Sequence, residues 1–207
     1  MYIFNRVIAG DRLRQMEATT AAVEVAALAT RIGGIDVSVY ASVFGAPMNT
    51  IAWGSTLESQ AQLQEATDKL LANADYLEWV SSHGDLFEGA ASDRLSAVVS
   101  TNFTGPKRFY AILNAVAAAG KVGAAVEFGV RSSQVVAQAT GLESAFLMEV
   151  YGAYGAVTWL TGADTMAELD SLHEMQMTNA AYHALAVESG PLFSDGSGTN
   201  SLIQRIA

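Results

Sequence analysis

The chain has no cysteine among its 207 residues. That removes disulfides, thiolate nucleophiles and zinc–thiolate centres together. Positive charge is scarce: 11 Lys and Arg stand against 21 Asp and Glu, for a net charge of −10. The deficit is shared, with 6 basic and 12 acidic residues in 1–103 and 5 and 9 in 104–207, and neither half carries a basic stripe. A nucleic-acid partner would first have to overcome phosphate repulsion, and an anionic membrane surface is disfavoured for the same reason. No apolar run reaches the roughly 18–20 residues of a membrane span. The most apolar stretch, AILNAVAAAGKVGAAVEFGV, is broken by Lys121, Glu127 and glycines and reads as strand, turn and helix. The first residues, MYIFNRVIAG, show no basic region leading into an apolar signal core and read as a strand. A cytoplasmic protein with no metal and no cofactor is expected. Also missing are a GxxxxGK[ST] phosphate loop, a GxSxG elbow and the acidic spacing of a calcium loop.

What the chain does have is an echo. NTIAWGSTLES (49–59) returns 106 residues later as GAVTWLTGADT (155–165). An ungapped shift of 106 pairs Trp53 with Trp159, Ser38 with Ser144, Leu63 with Leu169 and Asn73 with Asn179. It also pairs Tyr76 with Tyr182, Gly84 with Gly190, Leu86 with Leu192 and Phe87 with Phe193. So concentrated a set at one phase indicates an internal duplication, with repeats 1–103 and 104–207 joined through TNFTGPK (101–107).

Each repeat reads as strand–helix–strand–strand–helix–strand. In the first, YIFNRVIA is rich in β-branched and aromatic residues. Asp11 stands where an N-cap belongs, and Leu13, Met16, Thr20, Val23 and Ala27 follow at helical spacing. Gly33–Gly34 ends that helix, IDVSVYASVF alternates with period two, and GAPMN turns into TIAWGS. Ser59 opens a second helix whose inner stripe runs Leu63, Ala66, Leu70, Ala74 and Leu77, and RLSAVVS closes the unit. The second repeat follows with RFYAILNAV, a helix near 120–139, LESAFLMEVYGA, AVTWLTG, a helix near 165–187 and NSLIQRI. A βαββαβ unit is a four-stranded sheet with both helices on one face. Its other face carries apolar side chains here, with Tyr2, Phe4, Tyr40 and Phe44 assigned to one set of alternate positions, so it needs a cover. The second repeat, face to face, supplies one. The expected fold is therefore α+β: two ferredoxin-like repeats forming a pseudo-dimeric α/β barrel, with any leftover sheet edge free to pair in a homodimer.

An apolar strand into Trp, a Ser/Thr turn, an acidic helix start and a long aromatic-bearing helix, as in IAWGSTLESQAQLQEATDKLLANADYLEW, resembles the dimeric α/β-barrel superfamily. The nearest branch in pattern is that of antibiotic-biosynthesis monooxygenases and NIPSNAP-like proteins. The resemblance implies a tandem fusion of a usual homodimer. Its fold relatives include cofactor-independent monooxygenases of aromatic polyketides, haem-degrading enzymes and chlorite dismutases, so the fold alone does not select a reaction. The haem-degrading members imply a check on Asn5, Trp79 and His83, whose order and spacing depart from that group.

In a duplicated fold the informative positions are those that differ in polarity. At shift 106, Leu70 and Leu77 become Gln176 and His183, and Val37 and Val43 become Glu143 and Glu149. Placed on the helix-covered side, Glu149, Gln176 and His183 would form a polar cluster in the C-terminal repeat. Buried unpaired polar groups cost several kcal/mol, so such a cluster must be paired, hydrated or lining a pocket. His183 with Glu149 would serve general acid–base chemistry, and Gln176 and Trp159 would contact the ligand. The competing reading turns the glutamates to solvent, sets His183 at a helix edge and makes the strand tryptophans structural. Haem ligation by His173 and Met177 competes with methionine as ordinary core filler. Two functions follow: a small apolar or aromatic ligand-binding or monooxygenase-like protein with its pocket in the C-terminal repeat, or a non-catalytic structural or assembly protein.

Overall fold

The computed structural model describes all 207 residues. In chain order it holds β1 (Tyr2–Gly10), α1 (Gln15–Gly33), β2 (Ser38–Phe44), β3 (Thr50–Leu57), α2 (Gln60–Leu71), α3 (Ala74–His83) and β4 (Phe87–Thr101). The second half holds β5 (Phe109–Val116), α4 (Val122–Thr140), β6 (Glu143–Tyr151), β7 (Ala156–Ala163), α5 (Met166–Thr178), α6 (Ala180–Ser189) and β8 (Thr199–Arg205). Hydrogen bonding runs round the eight strands in the order β1-β3-β2-β8-β5-β7-β6-β4 and closes. The fold is the expected tandem ferredoxin-like α/β barrel. Closure leaves no sheet edge over, so the expected pairing edge is absent. The compact units are 1–95 with 204–207, and 96–203; β4 and β8 each contribute residues to both.

Two helix expectations change. The long second helix of each repeat is broken by an asparagine. Asn73 caps α3 by accepting from the Tyr76 amide at 3.0 Å, and Asn179 caps α6 from Tyr182 at 3.0 Å. An Asn side chain offers the backbone an alternative to continued helix, and the restart resets the facing of every later residue. Leu77, expected on the inner stripe, is 46% exposed. Leu13, just before α1, is 97% exposed and Met16 in its first turn 80%, while the helix buries Ala18, Ala21, Ala22 and Ala26 with Val23 packed against them. Asp11 accepts from the Leu13 and Arg14 amides in the turn before the helix and does not cap it.

The strand faces also differ from expectation. Tyr2 and Phe4 pack with Leu57, Leu63 and Ala66 on the helix side. Tyr40 lies opposite Ala52 while Val39 lies opposite Trp53, so Tyr40 points away from the helices.

The repeats match with one gap. Trp53 lies opposite Arg6 and Val39, whereas Trp159 lies opposite Leu113 and Phe146. The left-handed C-cap glycines are Gly34 and Gly141, both at φ 74°, a conformation glycine adopts without steric cost. Strand, helix and strand before the second hairpin therefore correspond at a shift of 107, and the elements after it at 106. The missing residue lies in the hairpin: 45–49 joins β2 to β3, while 152–155 joins β6 to β7.

Candidate functional site

A slip of one residue moves a strand side chain to the other face. With the gap in place, Glu143 corresponds to Asp36 and Glu149 to Ser42, and Ser144 takes the position of Val37. Glu143 and Glu149 share the face of Ala145 and Leu147, opposite to Phe146 and Trp159. Glu149 sits at the hairpin end, its carboxylate over Gly152, where an added Cβ would collide with it. His183 is exposed on α6, and its Nε2 lies 2.9 Å from the Gln176 carbonyl oxygen. The Asn179 break removes the common helix face assumed for Gln176 and His183. The structure thus joins His183 to the Gln176 backbone and does not bring Glu149 to either. Asn5 shares the face of Gly54, with its Oδ1 beside that glycine, away from the side that packs Trp79. His173 and Met177 are exposed on α5.

Glu143 has a different role. It accepts from the Thr104 hydroxyl at 2.6 Å and the Thr104 amide at 3.0 Å, and Lys107 Nζ lies 3.2 Å away. The Thr104 hydrogen bonds, then those of Lys107, hold its carboxyl below the usual range. The Lys107 amide donates to the Tyr110 hydroxyl at 2.7 Å, and Phe103 and the Lys107 stem lie on Gly162, where a Cβ would clash with both. The joining segment is thus fastened onto the C-terminal unit. No local motif signals this, because its partners are 39 residues apart in sequence.

In that unit the layer between α4 and the sheet is closed by aromatic rings. Phe146 is fully buried and 5.1 Å from Trp159. Phe193 lies 5.5 Å from Trp159 and 5.7 Å from Phe128. Trp159 Nε1 donates to the Gly129 carbonyl at 3.1 Å and the Ser132 hydroxyl at 2.9 Å, which satisfies its one donor. Gly129 is needed there because the Phe146 ring occupies the space of a Cβ. Arg131 lies 6.0 Å over the Phe128 ring and pairs with Glu188. Trp159 is thus packed among three rings with its donor satisfied.

The N-terminal unit builds the same layer from different sizes. Trp53 Nε1 donates to the Ala22 carbonyl at 3.0 Å, and its ring meets Phe87 at 5.8 Å. Val39 stands at the Phe146 position and Ala21 at the Phe128 position. The ring packed on the alanines comes instead from Trp79 of α3, a helix with no fully buried residue. Outside it, an open groove of about 380 Å³ is lined by Met16, Glu17, Thr20, Ala21, Glu24, His83 and Leu86. His83 stacks on Trp79 at 4.4 Å and 8°. Its Nδ1 lies 2.9 Å from the Trp79 carbonyl oxygen and 3.0 Å from the Ser82 hydroxyl; the tautomer that donates from Nδ1 to the carbonyl leaves the Nε2 lone pair without a partner. A second depression follows Ala61, Gln64, Glu65, Asp68, Lys69 and Ala72 of α2 alone, and so has no second wall.

No family model matches the chain, and no curated protein matches it. Solved structures do, across its full length. A "putative monooxygenase" of Fusobacterium nucleatum subsp. nucleatum superposes with TM-score 0.73 at 7% identity, covering 100% of this chain and 92% of its own. A protein of the same name from Lactobacillus acidophilus gives 0.68 at 8%, covering 99% and 93%. An anthrone oxidase-like protein gives 0.68 at 11%, covering 100% and 91%. At such identities the likeness is one of fold: this chain has the architecture of the dimeric α/β-barrel proteins.

Proposed function

We propose that the protein binds a small aromatic molecule in the groove between α1 and α3, on a barrel of the monooxygenase-like type. One contrast carries this reading. Where the C-terminal unit closes its helix–sheet layer with Phe128 and the Arg131–Glu188 pair, the N-terminal unit has Ala21 and an open groove walled by His83. The groove joins an apolar floor to a few polar groups, the composition expected of small-molecule sites. Its pocket is then in the N-terminal unit, not in the C-terminal repeat to which the sequence comparison assigned it. His83 Nε2 is the group placed to accept a hydrogen bond or a proton from a bound hydroxyl or N–H.

Indole titrated into the labelled protein tests this by NMR. Its binding should move the Trp79 and His83 side-chain resonances and leave those of Trp159 in place. The double variant Ala21→Phe, Trp79→Leu copies the packing of Phe128 and Leu185 and should abolish the response while the protein stays folded. Perturbation centred on Trp159, or a response surviving in the double variant, would remove the groove from consideration.

A further inference from the structure

The groove has a charge pattern that the packing contrast alone does not use. Glu17 and Glu24 lie seven residues apart on α1, two turns along one face, with Thr20 and Ala21 between them. All four line the groove. Neither carboxylate takes part in any ion pair or side-chain hydrogen bond of the structure, whereas Arg6, Arg12, Arg14, Lys69, Lys107 and Arg131 each have an acidic partner. In the tautomer that donates to the Trp79 carbonyl, His83 adds an acceptor nitrogen to the same wall.

The other repeat shows what occupies this part of the fold when the chain fills it itself. At the Ala21 position stands the Phe128 ring, and at the Glu24 position stands Arg131, its guanidinium over that ring and paired with Glu188. In the N-terminal unit a methyl group stands at the helix position of that ring, Trp79 bringing its own ring from α3 instead, and a carboxylate stands at the position of the cation. The apolar floor beside that methyl group and the unpaired carboxylates next to it are complementary to one class of molecule.

We infer that the groove selects compounds joining an aromatic ring to a positively charged nitrogen, such as arylalkylammonium ions. The ring rests on Met16, Ala21 and Leu86 beside the Trp79–His83 stack, and the ammonium lies between Glu17 and Glu24. The carboxylates exclude anionic aromatics by repulsion, which makes the selectivity a matter of discrimination as much as attraction.

This inference rests on the groove being a ligand site, and the experiment separates the two. Tryptamine, indole and indole-3-acetate share a ring and differ in charge. In the full-length protein at low ionic strength, tryptamine should bind about tenfold or more tighter than indole, with the difference shrinking in 0.5 M salt, and indole-3-acetate should bind most weakly. The variant Glu17→Gln, Glu24→Gln should bring tryptamine to the affinity of indole and leave indole unchanged. Equal affinity for tryptamine and indole, tightest binding of indole-3-acetate, or a tryptamine affinity indifferent to the double substitution overturns the charge selectivity while the groove stands. Absence of any perturbation at Trp79 and His83 by all three overturns both.

Discussion

The two units solve one packing problem with the sizes exchanged. The C-terminal unit sets Phe146 on the strand against Gly129 on the helix and adds Phe128 from that helix. The N-terminal unit sets Val39 against Ala22 and takes its extra ring, Trp79, from α3. The conserved elements are the Trp53 and Trp159 side chains, each donating to a carbonyl on the first helix of its unit. A core thus constrains total volume and complementarity more tightly than which element supplies each group. The exchange also changes exposure: a ring buried from the first helix closes the layer, while a ring leaning in from a partly exposed third helix leaves an open groove beside it.

Breaking the closed unit should cost most. Phe146→Ala should destabilise by about 3–5 kcal/mol, measured by urea unfolding. Val39→Ala, at the matching and equally buried position, should cost about 2 kcal/mol from its two lost methyl groups. Equal costs would mean that the layers are not differently packed. Next, Gly129→Ala should cost about 1–3 kcal/mol by overpacking against Phe146, and adding Phe146→Val should recover part of the loss, a coupling that a double-mutant cycle reads directly. Ala22→Gly should cost about 1 kcal/mol through helix propensity, with a further loss from the buried methyl group it removes from the core cluster.

Smaller effects come from the polar groups. Arg131→Gln should cost about 0.2–1 kcal/mol, as expected for an exposed ion pair, and less at high salt. Glu143 has a carboxyl held low by Thr104 and Lys107. A depressed folded-state value contributes stability that is present above the unfolded carboxylate range, near about 4.3, and is lost as pH falls through the folded value. Thr104→Val should therefore move the acid-side loss of stability to higher pH without changing the neutral plateau's shape. An unchanged acid limb would show that Thr104 does not set the Glu143 titration. Asp36, at the matching position of the N-terminal unit, makes none of these bonds.

The duplication and the order of elements along the chain were legible because apolar periodicity and glycine placement are local signals. The candidate cluster was less so. A single missing residue in the 152–155 hairpin leaves most identities aligned yet reverses the face of β6, so Val37 was compared with Glu143 when its counterpart is Ser144. Asn73 and Asn179 were visible as matched residues, but their matching does not reveal that each restarts a helix. The groove was hidden for a further reason: it depends on the pairing of Ala21 with Trp79, two residues far apart in sequence that no period connects.

The joining segment, with Phe103 and Lys107 laid on Gly162 and Thr104 bonded to Glu143, makes the two copies one gene product. In a barrel assembled from two identical chains, every substitution appears twice, and a hollow opened on one side must be tolerated on the other. Fusion lifts that symmetry constraint. One copy is free to become scaffold and the other to drift toward recognition, so a specialised half and a stabilising half can arise from a single ancestor without either compromising the other.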